Sequence, residues 1–522
     1  MGLSVLFLPM NLIGNTWLRE KFGLTKLSLS HESFLGTRLT STRETGGRVI
    51  ETYPRQYDPK PSDDPLAHIA FGLKYDGTHL ELLHRVFSRL DASTVASFVA
   101  ASPSGRYARQ IGFLYEFLTG TTLPLPASTQ ITGNYVPILD DRYIAAPPIK
   151  VTRWHVDDNL LGGPAFSPSV RATDKVQAGA QRDWRAESDA ALADTPRALL
   201  SRALTYLYAK ETRSSFLIER EEPGHDREQR FIAALRETGK VPAADSLSAG
   251  RLTALQNLIV DPRYAEPGFR PLQNYVGQTM PGAGEHVHYI SPPPELLRSL
   301  MAGLSQSTTR LEAVPPSVQA AVTAFQFVFI HPYADGNGRI HRFLLQDVLA
   351  RRGVVQTGAA LPLSATILDD MPGYDAALED FSQRIMSRAR YQIATNGALT
   401  LHNGSELAPA WRFPDLTHQV EYVHDIIART ISSLPQELDY LRRYDRARAS
   451  LRRVVDLPDQ RLASLLERLG DGRGTLSKNK RKQFSELTDD EVQRVQAAFA
   501  DAFAQAAAPL PTAHNSRPAR RS

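Results

Sequence analysis

Apolar residues recur at helical spacing over most of the chain. The stretch His79–Thr119 follows the period of an amphipathic helix, and the same period returns over 186–245. It resumes over 295–390, and a charged helical tail follows over 416–507. The apolar positions of the first two stripes are Leu80, Leu83, Val86, Phe87, Leu90, Leu200, Leu204, Leu207 and Tyr208. The pattern predicts a mainly α-helical fold.

Two loop-rich stretches interrupt the helices. Leu123–Pro168 is rich in proline and glycine, and we expect short strands and turns there. Further on, Asn274–Thr279 and Glu285–Ile290 have the length and composition of two short strands around a turn, which predicts a β-hairpin. A polar break near Asn403–Glu406 separates the central helices from the charged tail. From Pro509 onwards we expect a frayed end.

These changes of pattern divide the chain into three predicted regions. The chain has 522 residues, and at roughly 150 residues per domain this length suggests about three domains. We predict an N-terminal region of unknown role over 1–185, a central domain over 186–400 and a C-terminal helical region with a basic tail over 401–522. Thr488 followed by Glu491 predicts a capping box at the start of the last helix.

Composition excludes several kinds of chemistry. Hydrophobic residues make up 42% of the chain and charged residues 22%, as in ordinary globular proteins. The chain contains no cysteine, which rules out disulfides, thiolate metal sites and thiol catalysis. The net charge is +4, from 60 basic and 56 acidic side chains. This excess is too small to predict nucleic-acid binding by itself.

The apolar segment Leu3–Ile13 raises the question of targeting. It is interrupted by Pro9 and Asn11 and no basic residue precedes it, so it is a poor signal peptide. It is too short to cross a bilayer as a helix, and Leu6 occupies the position where a myristoylation signal has Ser or Thr. We therefore expect a buried N-terminal segment, a cytoplasmic protein and no membrane partner.

One stretch of twelve residues, His331 to Arg342, carries the candidate chemistry. It reads HPYADGNGRIHR, follows a predicted buried helix and precedes a second helix that we expect to end at Gly353. Pro332 disfavours helix in the residue before it, so the first helix should end there. Gly336 and Gly338 allow a tight loop with positive φ.

The charges of this stretch predict an anion at the start of the second helix. Arg339 and Arg342 lie in its first turn, where the helix dipole is unfavourable to cations. Backbone N–H groups of the Gly-Asn-Gly loop and two guanidinium groups would hold phosphate oxygens. Asp335 would join them through Mg²⁺, which takes carboxylate and phosphate oxygens together. His331, at the loop entrance, is then a candidate general base.

Two other interpretations of the loop remain open from these residues. Asp-Gly-Asn-Gly is also an ordinary turn sequence, with the arginines solvated or paired with carboxylates. A calcium loop is the other alternative. It is disfavoured because Arg339 stands where such a loop has an acidic residue, and Gln346 replaces the bidentate glutamate.

The whole string resembles the signature of the Fic (filamentation induced by cAMP) family, with Tyr333 in place of the usual Phe. The resemblance implies a Fic-type helical core with a small β-hairpin flap, flanked by N-terminal and C-terminal helical regions. It implies AMP transfer from ATP, with His331 deprotonating the target hydroxyl and Asp335 holding Mg²⁺. The residues implied in ATP and phosphate binding are Asp335, Gly336, Asn337, Gly338, Arg339 and Arg342.

Two flanking segments are similar to further parts of the family. The segment 270–290 resembles the flap, in which Val276, Gly277, Gln278 and Thr279 would align the target chain by strand addition. Residues 361–379 resemble the adenine-side helix, which implies that Tyr374 contacts the base. Asp375 and Ser382 depart from the family pattern there. In the flap, His286 and His288 either form a metal-binding pair or are exposed hairpin histidines.

A segment near 212–222 resembles the family's inhibitory helix, whose pattern is Ser/Thr-x-x-x-Glu-Gly/Asn. Ser215 and Glu219 match it and lie on one helix face, whereas Arg220 replaces the small last residue. The resemblance implies that Glu219 pairs with Arg342 and blocks productive ATP binding. The alternative is a surface charge within the acidic run of Glu219, Glu221 and Glu222.

The resemblance and the charges of the loop together predict a protein adenylyltransferase that uses ATP and Mg²⁺. Its predicted target is a Tyr, Thr or Ser hydroxyl of another protein, and self-modification is a further expected reaction. Within the family, Gly338 favours AMP transfer over the phosphate transfer of the Doc branch, which has Lys there. One alternative is a de-AMPylase or another Fic nucleotide or phosphate transferase. A second is a non-catalytic nucleotide-sensing or DNA-binding regulator, for which the basic run Thr475–Gln483 would be the contact surface. Nucleic acid is not the predicted partner.

Overall fold

The computed structural model describes residues 11–43, 47–193, 195, 197–280, 284–355 and 360–504. The described part of the chain is mainly α-helical, as predicted. The helices are α1 (Gly14–Lys21), α2 (Pro65–Phe71), α3 (Leu80–Phe87), α4 (Ala92–Ala101), α5 (Arg106–Thr119), α6 (Asp174–Ala180), α7 (Trp184–Leu192), α8 (Arg197–Ile218), α9 (His225–Leu235), α10 (Ala243–Ser246), α11 (Ala249–Ile259), α12 (Pro294–Leu311), α13 (Pro316–Ile330), α14 (Asn337–Arg351), α15 (Leu363–Leu368), α16 (Met371–Met386), α17 (Gly404–Arg412), α18 (Thr417–Val454), α19 (Asp459–Asp471), α20 (Lys478–Lys482) and α21 (Asp489–Ala504).

The strands form small sheets. They are β1 (Asn11–Ile13), β2 (His31–Gly36), β3 (Thr40–Arg43), β4 (Val49–Pro54), β5 (Val136–Pro137), β6 (Ile149–Val151), β7 (Val156–Asp158), β8 (Tyr275–Met280), β9 (Gly284–Ile290), β10 (Tyr391–Ile393) and β11 (Leu399–Leu401). Near the N-terminus the order is β1-β2-β4-β3, with β2 and β4 parallel. A second sheet has the order β5-β7-β6, and β8–β9 and β10–β11 are antiparallel hairpins.

The chain divides into two compact units, which differ from the three predicted regions. One unit comprises residues 1–186 and 207–430, and the other comprises 187–206 and 431–522. The predicted boundaries at 185 and 400 do not separate compact units, because hydrogen bonds cross both of them within the first unit. Leu416 N–H donates to the Ser169 carbonyl at 2.9 Å, and Arg388 pairs with Glu81 at 2.6 Å.

The core of the first unit contains α13, the helix that leads into the candidate site. Every residue of α13 from Ser317 to Ile330 is buried, so the helix is enclosed on all sides. It packs against α12 and α14. Most of α14 is buried as well, including the polar side chains Arg339, His341 and Arg342. The loop that joins α13 to α14 is therefore held at both ends by core helices.

The second unit has a hydrophobic core of its own. Leu451, Leu465, Phe484 and Phe499 are among its buried residues. The predicted capping box begins α21: Thr488 N–H donates to Glu491 at 2.7 Å, and Glu491 N–H donates back to the Thr488 hydroxyl at 3.2 Å. The basic run forms the short helix α20, whose residues are half-buried or exposed.

Most predicted elements are present, with two differences. The strands and turns of Leu123–Pro168 and the hairpin of 274–290 are found, but the four-stranded sheet over 11–54 was not predicted from the sequence. The polar break predicted near Asn403–Glu406 is shorter than expected, because α17 begins at Gly404; the Asn403 side chain accepts from the Arg390 N–H at 2.9 Å. The expected frayed end from Pro509 and most of the apolar N-terminal segment lie outside the described residues.

Among helices in the described ranges, none combines the length and apolar character that a bilayer crossing requires.

Candidate active site

His331 caps α13 in a conformation that is unusual for a side-chain-bearing residue. Its φ is 51°, in the left-handed region, which turns the chain sharply out of the helix. Its Nδ1 lies 3.1 Å from the Val328 carbonyl. Since a carbonyl only accepts, Nδ1 carries the hydrogen and the lone pair of the neutral ring is on Nε2. Nε2 is therefore the atom that can take a proton.

The surroundings of His331 keep the imidazole neutral. Burial lowers the pKa of His331 to about 4, and the Arg270 guanidinium lowers it further, while the Val328 carbonyl and the carboxylates of Glu219 and Asp335 act in the opposite direction. Near neutral pH the ring is uncharged and able to accept a proton.

The loop after His331 is closed by its own side chains. The Asn337 side chain accepts from Tyr333 N–H at 3.0 Å and donates to the Tyr333 carbonyl at 2.7 Å. Gly336 has a φ of 89°, as predicted. The Tyr333 ring is fully buried, and its hydroxyl lies 3.0 Å from the Thr253 hydroxyl. Tyr therefore replaces Phe here without an unsatisfied polar group.

Arg342 is buried and bound by the end of α8. It is 1% exposed and donates to Glu219 Oε1 at 2.9 Å, to the Ser215 hydroxyl at 2.9 Å and to the Ser215 carbonyl at 2.7 Å. Burial acts to lower the pKa of Arg342, but Glu219 and Tyr374 outweigh it and raise the pKa above its usual value. A hydrogen bond between charged groups at such a site contributes about 1.5–3 kcal/mol.

Arg339 is held by a second set of carboxylates. It is fully buried, and its two terminal nitrogens contact Glu221 at 3.2 and 3.1 Å. It also donates to Asp335 at 2.8 Å, and its Nε lies 3.7 Å from Glu219. The Phe216 ring covers the guanidinium at 5.2 Å. Both arginines of the motif are thus engaged by the segment that follows α8.

A carboxylate of the chain lies at the start of α14, where the sequence predicts a bound phosphate. A Cβ atom on Gly338 would lie 2.0 Å from Oε1 of Glu219, so this carboxylate rests directly on the first turn of α14. Gly338 is helical and does not have the predicted positive φ. The glycine is needed because the carboxylate comes so close to the backbone, where the N-terminal dipole favours negative charge.

Three carboxylates of the site could take part in metal binding. Oxygen atoms of Glu219, Glu221 and Asp335 lie within 4.8 Å of one another, and the Arg339 guanidinium is bound to the same groups. Oδ1 of Asp335 accepts from Gly336 N–H at 2.6 Å, and 36% of its side chain is exposed. Carboxylate oxygens of this kind fit Mg²⁺. His286 and His288 are exposed, with ring centroids 4.6 Å apart, and neither belongs to a three-residue metal cluster in the described ranges.

α8 ends in a Schellman motif with arginine at the position that usually holds glycine. Glu221 N–H donates to the Phe216 carbonyl at 3.1 Å and Arg220 N–H donates to the Leu217 carbonyl at 2.9 Å. Arg220 has a φ of 58°. Arg220 therefore adopts the left-handed conformation that glycine takes most easily, although its side chain makes this conformation less favourable.

Arg220→Gly is expected to stabilise this helix end. Glycine adopts positive φ without a steric penalty, so we expect a gain of about 1 kcal/mol and a higher melting temperature. Arg220→Ala is the control, since it removes the guanidinium but keeps the Cβ. Equal melting temperatures for the glycine and alanine variants would contradict the role of backbone conformation.

The flap residues lie on β8, which pairs with β9. Gln278 pairs with His286, Thr279 with Glu285, and the register shifts between Val276 and Gly277. A Cβ on Gly277 would lie 2.6 Å from the His286 carbonyl, so the bulge requires glycine. Within the described residues, no second strand pairs with β8, and Val276 is 41% exposed.

Tyr374 lies on α16 and is only 4% exposed. Burial raises the pKa of its hydroxyl, and a hydrogen bond from Arg342 partly opposes this rise. The side chain thus belongs to the surroundings of Arg342. The adenine contact that the resemblance implies remains a prediction.

Several residues of the site carried no clear signal in the sequence. Gln256 donates to the Asp335 carbonyl at 3.3 Å, and Glu266 accepts from Ala334 N–H at 2.7 Å. Arg270 donates to the His331 carbonyl at 2.9 Å. Glu221 was recognised only as part of an acidic run. Most of these contacts involve the loop backbone, which has no sequence signature.

Comparisons with known proteins agree with the motif. Residues 246–349 match the family model described as "Fic/DOC family". A stretch of 84 residues, which is 16% of this chain, is 36% identical to protein adenylyltransferase fic-1 of Caenorhabditis briggsae. Over the same length, the identity to protein adenylyltransferase fic-1 of Caenorhabditis elegans is 33%. The matched part is 15% of the length of either relative.

Two solved structures are also similar. One is a Fic family protein from Desulfovibrio desulfuricans G20, with a TM-score of 0.32 and 20% identity, over 63% of this chain and 87% of that one. The other is a Fic domain containing signaling protein from Bacteroides thetaiotaomicron VPI-5482, with a TM-score of 0.34 and 18% identity, over 51% of this chain and 97% of that one. From the family match and the motif together, this chain carries a Fic/DOC family domain, at residues 246–349.

Proposed function

We propose that this chain is a protein adenylyltransferase that transfers AMP from ATP to a Tyr, Thr or Ser hydroxyl of a target protein. The observation that carries the proposal is His331, whose Nε2 lone pair is free, at the entrance of the loop that leads to the two buried arginines at the start of α14. The named nematode relatives are adenylyltransferases, and the motif residues match. A general base and anion-binding groups are the two requirements of such a transfer.

The proposed reaction needs one base and a set of phosphate-binding groups, namely Arg339, Arg342 and the amides at the start of α14, which we call the cradle. The target hydroxyl gives its proton to Nε2 of His331, its oxygen attacks the α-phosphate of ATP, and the bond to the β-phosphate breaks so that pyrophosphate leaves. Arg339, Arg342 and the amides at the start of α14 neutralise charge on the phosphates. Asp335 would hold Mg²⁺, which supplies further neutralisation when bound. β8 would align the target chain by strand addition.

The same cradle is held in an inhibited state by the chain itself. We propose that Glu219 occupies the position of a phosphate, since it binds Arg342 and rests on Gly338. Glu221 adds to this state because it engages Arg339, which also holds Asp335. ATP would have to displace these carboxylates before all of its phosphates could bind. We call this set of contacts, from Glu219 and Glu221 to the two arginines, the clasp.

Intact-mass measurement of the Glu219→Gly protein after incubation with ATP and Mg²⁺ tests the activity. We expect a covalent adduct of AMP size on the protein itself, and none when EDTA removes the metal. An adduct of phosphate size would assign the chain to phosphate transfer instead. A folded protein that binds ATP but forms no adduct, alone or with a cell lysate, would contradict the proposed function.

A further inference from the structure

Arg270 is a buried guanidinium directly before the flap. It is 3% exposed, and its nitrogens donate to four acceptors. Nε donates to the His331 carbonyl at 2.9 Å and Nη1 to the Leu272 carbonyl at 2.7 Å. Nη2 donates to the Ser291 hydroxyl at 3.0 Å and to the Pro292 carbonyl at 2.6 Å.

All of these partners are neutral. No carboxylate lies within ion-pair distance of Arg270 among the described residues, although other arginines of the site have such partners. Burial lowers the pKa of Arg270 to about 10. Burying a charge without a counter-charge is unfavourable unless hydrogen bonds compensate it. An arrangement this costly indicates a role that a neutral side chain would not fill, because only the guanidinium fork offers five donors in a fixed plane.

The four acceptors belong to three separate parts of the site. Leu272 lies just before β8, Ser291 and Pro292 lie just after β9, and His331 begins the loop after α13. One side chain thus joins both ends of the hairpin to the candidate base. The backbone adds a parallel link, since Arg270 N–H donates to the Pro332 carbonyl at 2.9 Å.

The bond to His331 acts on a residue whose backbone is strained. A left-handed conformation is unfavourable for a residue with a side chain, so His331 needs outside contacts to stay in it. Arg270 donates to the His331 carbonyl, and the His331 ring donates to the Val328 carbonyl. Together they fix both the backbone turn and the direction of Nε2.

We propose that Arg270 is a positioning residue, which holds the flap and His331 in one fixed relation so that a hydroxyl on a chain bound to β8 meets Nε2. This inference rests on the proposed function, in which the flap aligns the target and His331 is the base. A misplacement of about 1 Å at a reacting group can reduce a rate by about 100-fold. Arg270 therefore acts on turnover through geometry, without touching ATP.

The test compares Arg270→Gln and Arg270→Lys in the Glu219→Gly background. We expect Arg270→Gln to reduce the maximal rate of self-labelling at least about tenfold, with the apparent KM for ATP changed less than about threefold. Arg270→Lys restores part of the rate, because an ammonium group reaches one or two of the acceptors. Arg310→Gln is the control away from the flap: Arg310 also bonds backbone carbonyls, those of Leu160 and Asp158, and in addition contacts the Asp158 carboxylate at 3.3 Å.

Hydrogen exchange separates this inference from the proposed function. We expect Arg270→Gln to increase amide exchange in β8, β9 and the loop 331–336, and Arg310→Gln to leave it unchanged, whether or not AMP is transferred. If the Glu219→Gly protein labels itself and the added Arg270→Gln change leaves the rate as it is, the inference is wrong and the proposed function stands. If the Glu219→Gly protein never labels itself, the proposed function is wrong. If Arg270→Gln leaves amide exchange unchanged, the inference that Arg270 joins the flap to His331 is wrong. Should Arg270→Gln fail to fold, Arg270→Lys decides by the same two measurements.

Discussion

Replacing His331 with alanine in the Glu219→Gly background is expected to reduce self-labelling from ATP by at least about 100-fold, the lower end of what a general base contributes. The physical reason is the lone pair on Nε2, which stays free to accept a proton because Nδ1 donates to the Val328 carbonyl of α13. ATP binding should change little, because the imidazole does not hold phosphate. Radiolabel transfer and ATP titration calorimetry measure the two effects separately.

His418→Ala is the matched control for this variant. His418 is exposed at the start of α18, outside the site, and its loss should leave labelling unchanged. Strong labelling by a folded His331→Ala protein would mean that another group takes the proton. The assignment of the base would then be wrong, although the arginine cradle could still bind a nucleotide.

Glu219→Gly is expected to increase self-labelling by about ten- to a hundredfold. Glu219 makes the charged contact with Arg342 at 2.9 Å, and a hydrogen bond between charged groups contributes about 1.5–3 kcal/mol. Each 1.4 kcal/mol is about a factor of ten in an equilibrium. Removal of the carboxylate therefore shifts the population toward molecules whose arginines are free for phosphate. Initial rates at equal ATP concentration measure the change.

Glu222→Gly is the control for charge and backbone flexibility. Glu222 belongs to the same acidic run but is exposed, so its replacement should leave the rate as it is. A flat rate for a folded Glu219→Gly protein would show that the clasp does not limit ATP binding. A rise with Glu222→Gly equal to that with Glu219→Gly would assign the effect to net charge instead.

The sequence predicted the parts of the fold that depend on local chemistry. Helical spacing gave most of the helices, Pro332 marked the end of α13, and Thr488 with Glu491 marked the start of α21. The motif located the loop, and its charges pointed to an anion at the start of α14. These predictions succeed because they depend on neighbours within a few residues along the chain.

Contacts between distant residues were beyond such reasoning. The Tyr333 hydroxyl meets Thr253, eighty positions away, and β2 pairs in parallel with β4 in a sheet that the polar pattern does not reveal. Arg270 bonds mainly carbonyl groups, which every residue has, so no sequence pattern marks it. Glu221 contacts Arg339 whereas its neighbour Glu222 is exposed, and the sequence does not distinguish them because the difference follows the left-handed turn at Arg220.

The Glu219 carboxylate lies directly against the Gly338 backbone, and this contact affects how the site would respond to the nucleotide concentration. The Arg342 guanidinium, which would bind a phosphate in the proposed function, already binds the Glu219 carboxylate, so release of this segment would exchange one anion for another. The desolvation cost of the buried guanidinium is met in both states, so only the difference between its two anionic partners would enter the balance. Under the proposed function, the occupancy of the two states would follow the concentration of free nucleotide, and a rise in ATP alone would shift the protein toward the state in which Arg342 is free for phosphate.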